Sequence, residues 1–285
     1  MKIKNKIIRL MRKFMYEAKS PVFIPLMNGE YLKDRNILVT GGSSGIGYAI
    51  AEACLRQGAN VVITGRNKTN LDIALDSLKQ KSEIYEKSIF SLVFDISDVD
   101  NIGDKLREAI DLIPNKKIDT LVNNAGVSVG EHIGNTDSEA YDLVMDTNLK
   151  GTYFISQAFS NYLINNNIKG NILNISSVSG VRPAISPYMV SKWGEIGLTK
   201  GLAKKLISYG IVVNGIAPGP TATRMLNVDS SDINYVNSPA GRYVTPEEVA
   251  NLAVFLISDM GRMIVGETVF ITGGCGTLTL DDIKY

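Results

Sequence analysis

A chain of 285 residues, 45% of them apolar and with a net charge of +1, has room for one large α/β domain or two small ones and is not composed like a disordered chain. The charge is uneven: the first nineteen residues carry seven Lys/Arg against Glu17 alone, so the other 266 are about five negative, which argues against general affinity for nucleic acid. Cys54 and Cys275 lie far apart without metal-ligand spacing and His132 is the single histidine, so neither a disulfide framework nor a metal site is expected.

Residues 3–18 set Ile3, Ile7, Leu10, Met11, Phe14, Met15 and Ala18 at helical spacing with basic residues largely between them, the pattern of a basic amphipathic helix. Residues 1–32 are read as an arm preceding a single domain at 33–285. Packing of that arm on its own body or on a partner subunit is favoured over weak contact with an anionic membrane surface. Arg9 and Arg12 interrupt any signal-peptide core, and no apolar run reaches the roughly 18 residues of a membrane span, so a cytoplasmic protein is expected.

Residues 36–40 form a short apolar run leading into TGGSSGIG at 40–47 and then YAIAEACLRQG, which is apolar at helical period. Gly41, Gly45 and Gly47 let the backbone turn sharply and approach a ligand, and a helix start offers free N–H groups to a pyrophosphate. Alone, such a loop is also an ordinary turn; its place between strand and helix points to a dinucleotide. Residues 59–64 read as a second buried strand. Where a dinucleotide fold often carries an acid for the ribose 2′-hydroxyl, this chain has Gly65 and Arg66. An arginine there can hold a 2′-phosphate with two N–H groups, so NADP(H) is preferred over NAD(H). The alternative is an exposed arginine at a strand end.

Residues 69–80 read as a helix and 88–94 as a third strand; Asp95 at its end either meets the adenine region or only opens the turn before a helix at about 98–113. A fourth strand at 118–122 runs into NNAG at 123–126. Strands alternating with helices of this length predict an α/β Rossmann fold, a doubly wound parallel sheet of about seven strands with helices on both faces and ligands at the carboxyl ends of the strands.

A long helical stretch over 138–165 contains Asn148, whose side chain competes with the helix backbone; it is either a surface residue or the mark of an irregular turn. A fifth strand at 171–176 delivers Ser177, and residues 187–209 read as the helix carrying Tyr188 and Lys192. Four positions apart, those two share a face, and a cation beside a phenol of ordinary pKa about 10 favours the phenolate. Alone, this too could be an exposed pair. Trp193 and Arg182 beside it are assigned to packing and solvation. A sixth strand at 211–217 is followed by PGPTAT at 218–223 and an irregular segment to about 245, read as a lid. Thr245 as N-cap and Pro246 at the first position then open a helix, and a last strand is expected at about 267–271.

With TGGSSGIG, NNAG, Asn148, Ser177, YMVSK at 188–192 and PG at 218–219 in this order, residues 33–276 resemble the short-chain dehydrogenase/reductase family. The resemblance is to its single-domain branch, which includes the 3-oxoacyl-carrier-protein reductases. It implies that Tyr188 donates a proton to a substrate carbonyl while a nicotinamide gives hydride. Ser177 would bond the same oxygen, Lys192 would hold the nicotinamide ribose, and Asn148 would anchor a water linking Lys192 to solvent. Implied cofactor contacts are Gly41, Ser43, Ser44, Gly45, Ile46 and Gly47 in the glycine loop and Arg66, Asp95, Asn124, Ala125 and Gly126 at the strand ends. Pro218, Gly219, Thr221 and Thr223 follow the sixth strand, and Tyr188 and Lys192 complete the set. The segment between Ser177 and Tyr188 is shorter than in many relatives, which leaves Ser176 as the alternative hydroxyl, although SVSG favours Ser177. Thr272 stands where many members have an acid and is assigned to packing or a subunit contact. A ketone or 3-oxoacyl reductase acting as a homodimer or homotetramer is implied; an alcohol or sugar dehydrogenase, or a non-catalytic cofactor-binding sensor or scaffold, is the alternative.

Overall fold

The computed structural model describes residues 29–129, 132–226, 228, 233–276 and 278, so the basic helix expected at 3–18 lies outside the described residues. Seven strands among these residues pair in parallel: β1 Asn36–Val39, β2 Asn60–Gly65, β3 Ile89–Val93, β4 Thr120–Asn123, β5 Gly170–Ile175, β6 Ile211–Pro218 and β7 Thr268–Ile271. Their order across the sheet is β3-β2-β1-β4-β5-β6-β7. The central strands are apolar nearly throughout because both faces are covered; β6 is buried over its full length.

One face packs on α1 Gly45–Arg56, α2 Lys68–Lys79 and the last helix, Pro246–Ile257, around Val39, Ile50, Ile63, Leu78, Val249 and Val254. The other face packs on α3 Ile102–Leu112, α5 Thr152–Asn165 and α6 Pro187–Leu206, around Leu38, Val62, Leu106, Phe159 and Leu206. No helix among the described residues is long and apolar enough to cross a membrane.

Helix starts follow their local chemistry. Thr245 caps the last helix as expected, with Pro246 at its first position, and Glu248 completes a reciprocal cap, while Ser186 caps α6 by accepting from Met189 N–H at 3.3 Å; caps of this kind contribute about 1 kcal/mol each. The helix expected at 98–113 opens as a 3-10 turn, Val99–Asn101, before α3.

The long helix expected at 138–165 is interrupted. After α4, Ser138–Met145, residues Asp146–Gly151 form a π-helical turn before α5 begins. Two contacts account for it. The Asn148 side chain leaves the helix to bond Val127, and Gly151 lies so close to the loop after β3 that a Cβ there would stand 2.6 Å from the Ile96 carbonyl.

At the amino edge of the sheet, Asp119 is buried beneath β1. It accepts from Asn36 N–H at 3.2 Å and from the Thr120 hydroxyl at 2.8 Å, with Arg35 at 3.7 Å.

Candidate active site

Strand order reverses between β1 and β4, and the loops leaving their carboxyl ends diverge to open a crevice. Thr40 ties the two strand ends together. Its Oγ1 donates to the Val122 carbonyl at 3.3 Å and accepts from Asn124 and Ala125 N–H at 3.0 and 3.1 Å. Asn124 in turn donates to the carbonyls of Thr40 and Gly41, both at 3.0 Å. Gly41 has φ +65°, and a Cβ there would meet Ala125 Cα at 2.8 Å, so only glycine makes this turn unstrained.

The first N–H groups of α1 point into the crevice from Gly45. Ser44 gives them no side-chain cap and no acid lies in the first turn, which leaves donors and a positive dipole end for an anion.

The cleft that results holds about 350 Å³. Gly41, Ser43, Ser44, Gly45 and Ile46 line one side; Arg66, Asp95, Asn124, Ala125 and Gly126 come from the ends of β2, β3 and β4. Tyr188, Lys192 and Thr223 close it. Gly47 lies beneath the loop, its Cα face against Asn124 and the Gly41 carbonyl. Pro218, Gly219 and Thr221 are set back from the cleft, with the Thr221 hydroxyl donating to the Gly219 carbonyl at 2.9 Å. Asp95 lines the cleft and accepts from Ser97 N–H and Oγ at 3.0 and 2.7 Å, which shapes its turn. A backbone cradle, uncapped helix N–H groups and an exposed guanidinium at the end of β2 form a donor set that fits the phosphates of a dinucleotide. No group of three or more metal-ligating side chains occurs among the described residues.

Beside this cleft α6 begins at Pro187, placing Tyr188 in its first turn and Lys192 one turn on, with the ammonium 5.7 Å from the phenol ring centre. Asn148 does not line the cleft. Its side chain accepts from Val127 N–H at 2.8 Å and donates to the Val127 carbonyl and Ser191 Oγ at 3.0 and 3.1 Å, clamping the chain after NNAG to α6. Ser177 Oγ accepts from Ser179 N–H at 3.1 Å, which leaves its own proton to donate. Ser176, the alternative, lines the cleft, but its hydroxyl donates to the Lys192 carbonyl at 3.1 Å.

A second cavity of about 210 Å³ lies on the other side of Tyr188, where Ser128, His132, Ser179 and Ser186 bring polar groups and Val129, Val144 and Met189 apolar ones.

Two side chains differ from their sequence reading. Arg182, assigned to solvation, is buried at 7% exposure, and Trp193 Nε1 donates to its carbonyl at 2.7 Å. Glu195, which the sequence reading passed over, lies against the Lys192 ammonium at 2.8 and 2.9 Å, both side chains buried. Burial pushes the Glu195 carboxyl up to about 7, against the opposing pull of Lys192 and the Ser176 hydroxyl. Burial also works to lower the Lys192 pKa, but Glu195 and then Tyr188 outweigh it, and the ammonium stands above its ordinary value. Thr272 accepts from Gly274 N–H at 3.1 Å.

The family model described as enoyl-(acyl carrier protein) reductase matches residues 41–276. A gluconate 5-dehydrogenase of Gluconobacter oxydans is 34% identical over 251 residues, covering 85% of this chain and 95% of that protein. A 3-oxoacyl-[acyl-carrier-protein] reductase, FabG, of Thermotoga maritima is 35% identical over 250 residues, covering 85% and 98%. Among solved structures, a short chain dehydrogenase from Bacillus anthracis superimposes with a TM-score of 0.75 at 32% identity, over 85% of this chain and 97% of that one. With the family model matching residues 41–276, which include the Tyr188–Lys192 helix, and relatives above 30% identical covering 85% of the chain, the chain belongs to the short-chain dehydrogenase/reductase family.

Proposed function

We propose that this oxidoreductase uses NADP(H) to reduce a ketone or 3-oxoacyl carbonyl, with Asn148, Ser177, Tyr188 and Lys192 as its working residues. The observation that carries the reading is a single cleft at the reversal of strand order that gathers the glycine loop, Arg66, Tyr188 and Lys192. The glycine loop and the α1 N-terminus would hold the pyrophosphate, and Arg66 the 2′-phosphate. The bound cofactor would supply hydride to the carbonyl carbon. Tyr188 O–H donates the proton that the carbonyl oxygen needs, and Ser177 O–H donates a hydrogen bond to the same oxygen as its negative charge grows. Lys192, its ammonium 5.7 Å from the Tyr188 ring centre, would hold the nicotinamide ribose. Asn148 fixes the loop at Val127 that borders both cavities.

Tyr188→Phe tests this: turnover should fall by about 10²- to 10⁴-fold while NADPH binding persists. Unchanged turnover refutes the mechanism, and tighter binding of NADH than of NADPH removes the assignment of Arg66.

A second reading, oxidation of a polyhydroxy substrate, draws on the cavity beside Tyr188. Ser128, His132, Ser179 and Ser186 are groups that bond hydroxyls, and one relative is a gluconate 5-dehydrogenase. Screening ketones, acyl thioesters, alcohols and sugar acids in both directions with both cofactors separates the two.

A further inference from the structure

Every N–H donor of the Lys192 ammonium is taken. Two go to the carboxylate oxygens of Glu195, at 2.8 and 2.9 Å, and one to the Ile175 carbonyl at 3.1 Å. The pair is buried at the floor of the cleft, Lys192 at 4% and Glu195 at 2% exposure. Holding the nicotinamide ribose, the role proposed above for Lys192, needs at least one of those same donors. The backbone around the pair has little freedom. Thr199 Oγ1 donates to the Glu195 carbonyl at 2.9 Å, and Gly180 packs so tightly on the Lys192 carbonyl that a Cβ would come within 2.6 Å of it. What can move is the long lysine stem.

We propose that Glu195 is a positioning residue that latches Lys192: it holds the ammonium on the floor of the cleft until a nicotinamide cofactor binds, and then takes up a proton from solvent as the ammonium turns to the ribose. A buried carboxylate that loses its cation is costly, and neutralisation is the cheaper outcome. Burial has already raised the Glu195 carboxyl to about 7. No second cation stands ready to replace Lys192 among the described neighbours. Tyr188 on the same helix is the other titratable group acting on the ammonium, and the Ser176 hydroxyl at the end of β5 is the other group acting on the carboxyl. The β6 strand and the turn Val178–Val181 carry no charged side chain. On α4 and the π turn, Glu139 and Asp142 are exposed and Asp146 pairs with Lys150 at 3.1 Å. Below about pH 7 Glu195 is already neutral and the latch is open; above it, cofactor affinity weakens by up to about tenfold per pH unit.

The latch rests on the cofactor reading, and calorimetric titration separates the two. The full chain is titrated with NADPH, and with NADH, at pH 8 in buffers of different ionisation enthalpy. Wild type is expected to take up about one proton per cofactor bound. Glu195→Gln should abolish that uptake and bind cofactor several-fold more tightly, because a neutral acceptor holds the ammonium less firmly; Glu195→Asp should restore the uptake. Binding without proton uptake in wild type, or with the same uptake in E195Q, overturns the latch alone. Failure of both cofactors to bind overturns the cofactor reading and the latch with it. If E195Q does not fold, the wild-type proton count decides.

Discussion

Both edges of the sheet bury an acid, and the two are held in different ways. At the amino edge Asp119 is gripped by the backbone N–H of Asn36 and the hydroxyl of Thr120, while Arg35 is shared with the exposed Asp259. At the carboxyl edge Glu195 relies on a lysine that lines an open cleft. Burial raises both carboxyls. A backbone donor cannot leave its acceptor without unfolding the strand, whereas a lysine on a four-carbon stem can change partners. The first pair belongs to the scaffold and the second can be exchanged for a ligand.

The strongest test of that contrast is stability against pH. An acid whose pKa is raised by folding keeps its proton where the unfolded chain has lost it, so stability falls as pH rises from 4.5 to about 7. Glu195→Gln should flatten this slope, a difference of about 3 kcal/mol between pH 4.5 and 7.5 by urea denaturation. An identical slope in the variant would place it elsewhere. Asp119, raised from 3.8, adds a slope starting at lower pH that both proteins share. Lys192, raised from 10.5, contributes stability that is fully present below that value and is lost as pH rises from there through its folded value, outside this window.

Arg66→Ala comes next. NADPH should bind about 10- to 100-fold more weakly, with NADH binding and unfolding stability unchanged. Equal losses for both cofactors would make Arg66 a support for the loop.

Asp119→Asn should cost about 1–2 kcal/mol of stability and leave cofactor affinity alone; a changed dissociation constant would break the separation of the two edges. Smallest of all, Lys68→Ala removes the exposed pair with Asp72 and should shift stability by less than about 0.5 kcal/mol.

The alternation of strands and helices, the glycine turn and the placing of Tyr188 and Lys192 on one helix were legible because period and turn chemistry are local. Asn148 was legible as an anomaly, a poor helix former in an otherwise helical run, though its partner Val127 was not, being 21 positions away. Glu195 escaped because an acid three places after a lysine reads as a surface pair. A signal was present: Tyr188, Lys192, Glu195, Thr199, Ala203 and Leu206 recur every three or four residues, one stripe of α6, and from Lys192 onward all of them are buried. Extending the face of the Tyr188–Lys192 pair by two turns would have put Glu195 inside. Arg182 was misplaced because nothing in its immediate sequence shows that Trp193 bonds its carbonyl or that Gly276 packs on its guanidinium.

The π turn at Asp146–Gly151 gives the helix one residue more than the regular 3.6-residue winding needs. The extra residue is absorbed within that one turn, so α4 and α5 keep their phase while the side chains inside the turn are re-aimed. Removing a residue there would restore an unbroken α-helix and swing the side chains of the turn by up to one residue's rotation, about 100°. Asn148 would leave Val127, and the wall shared by the two cavities would lose its clamp, although no residue lining the cofactor cleft beyond that turn had been altered. In this chain the gap-free alignment of a helix is itself a condition on the site.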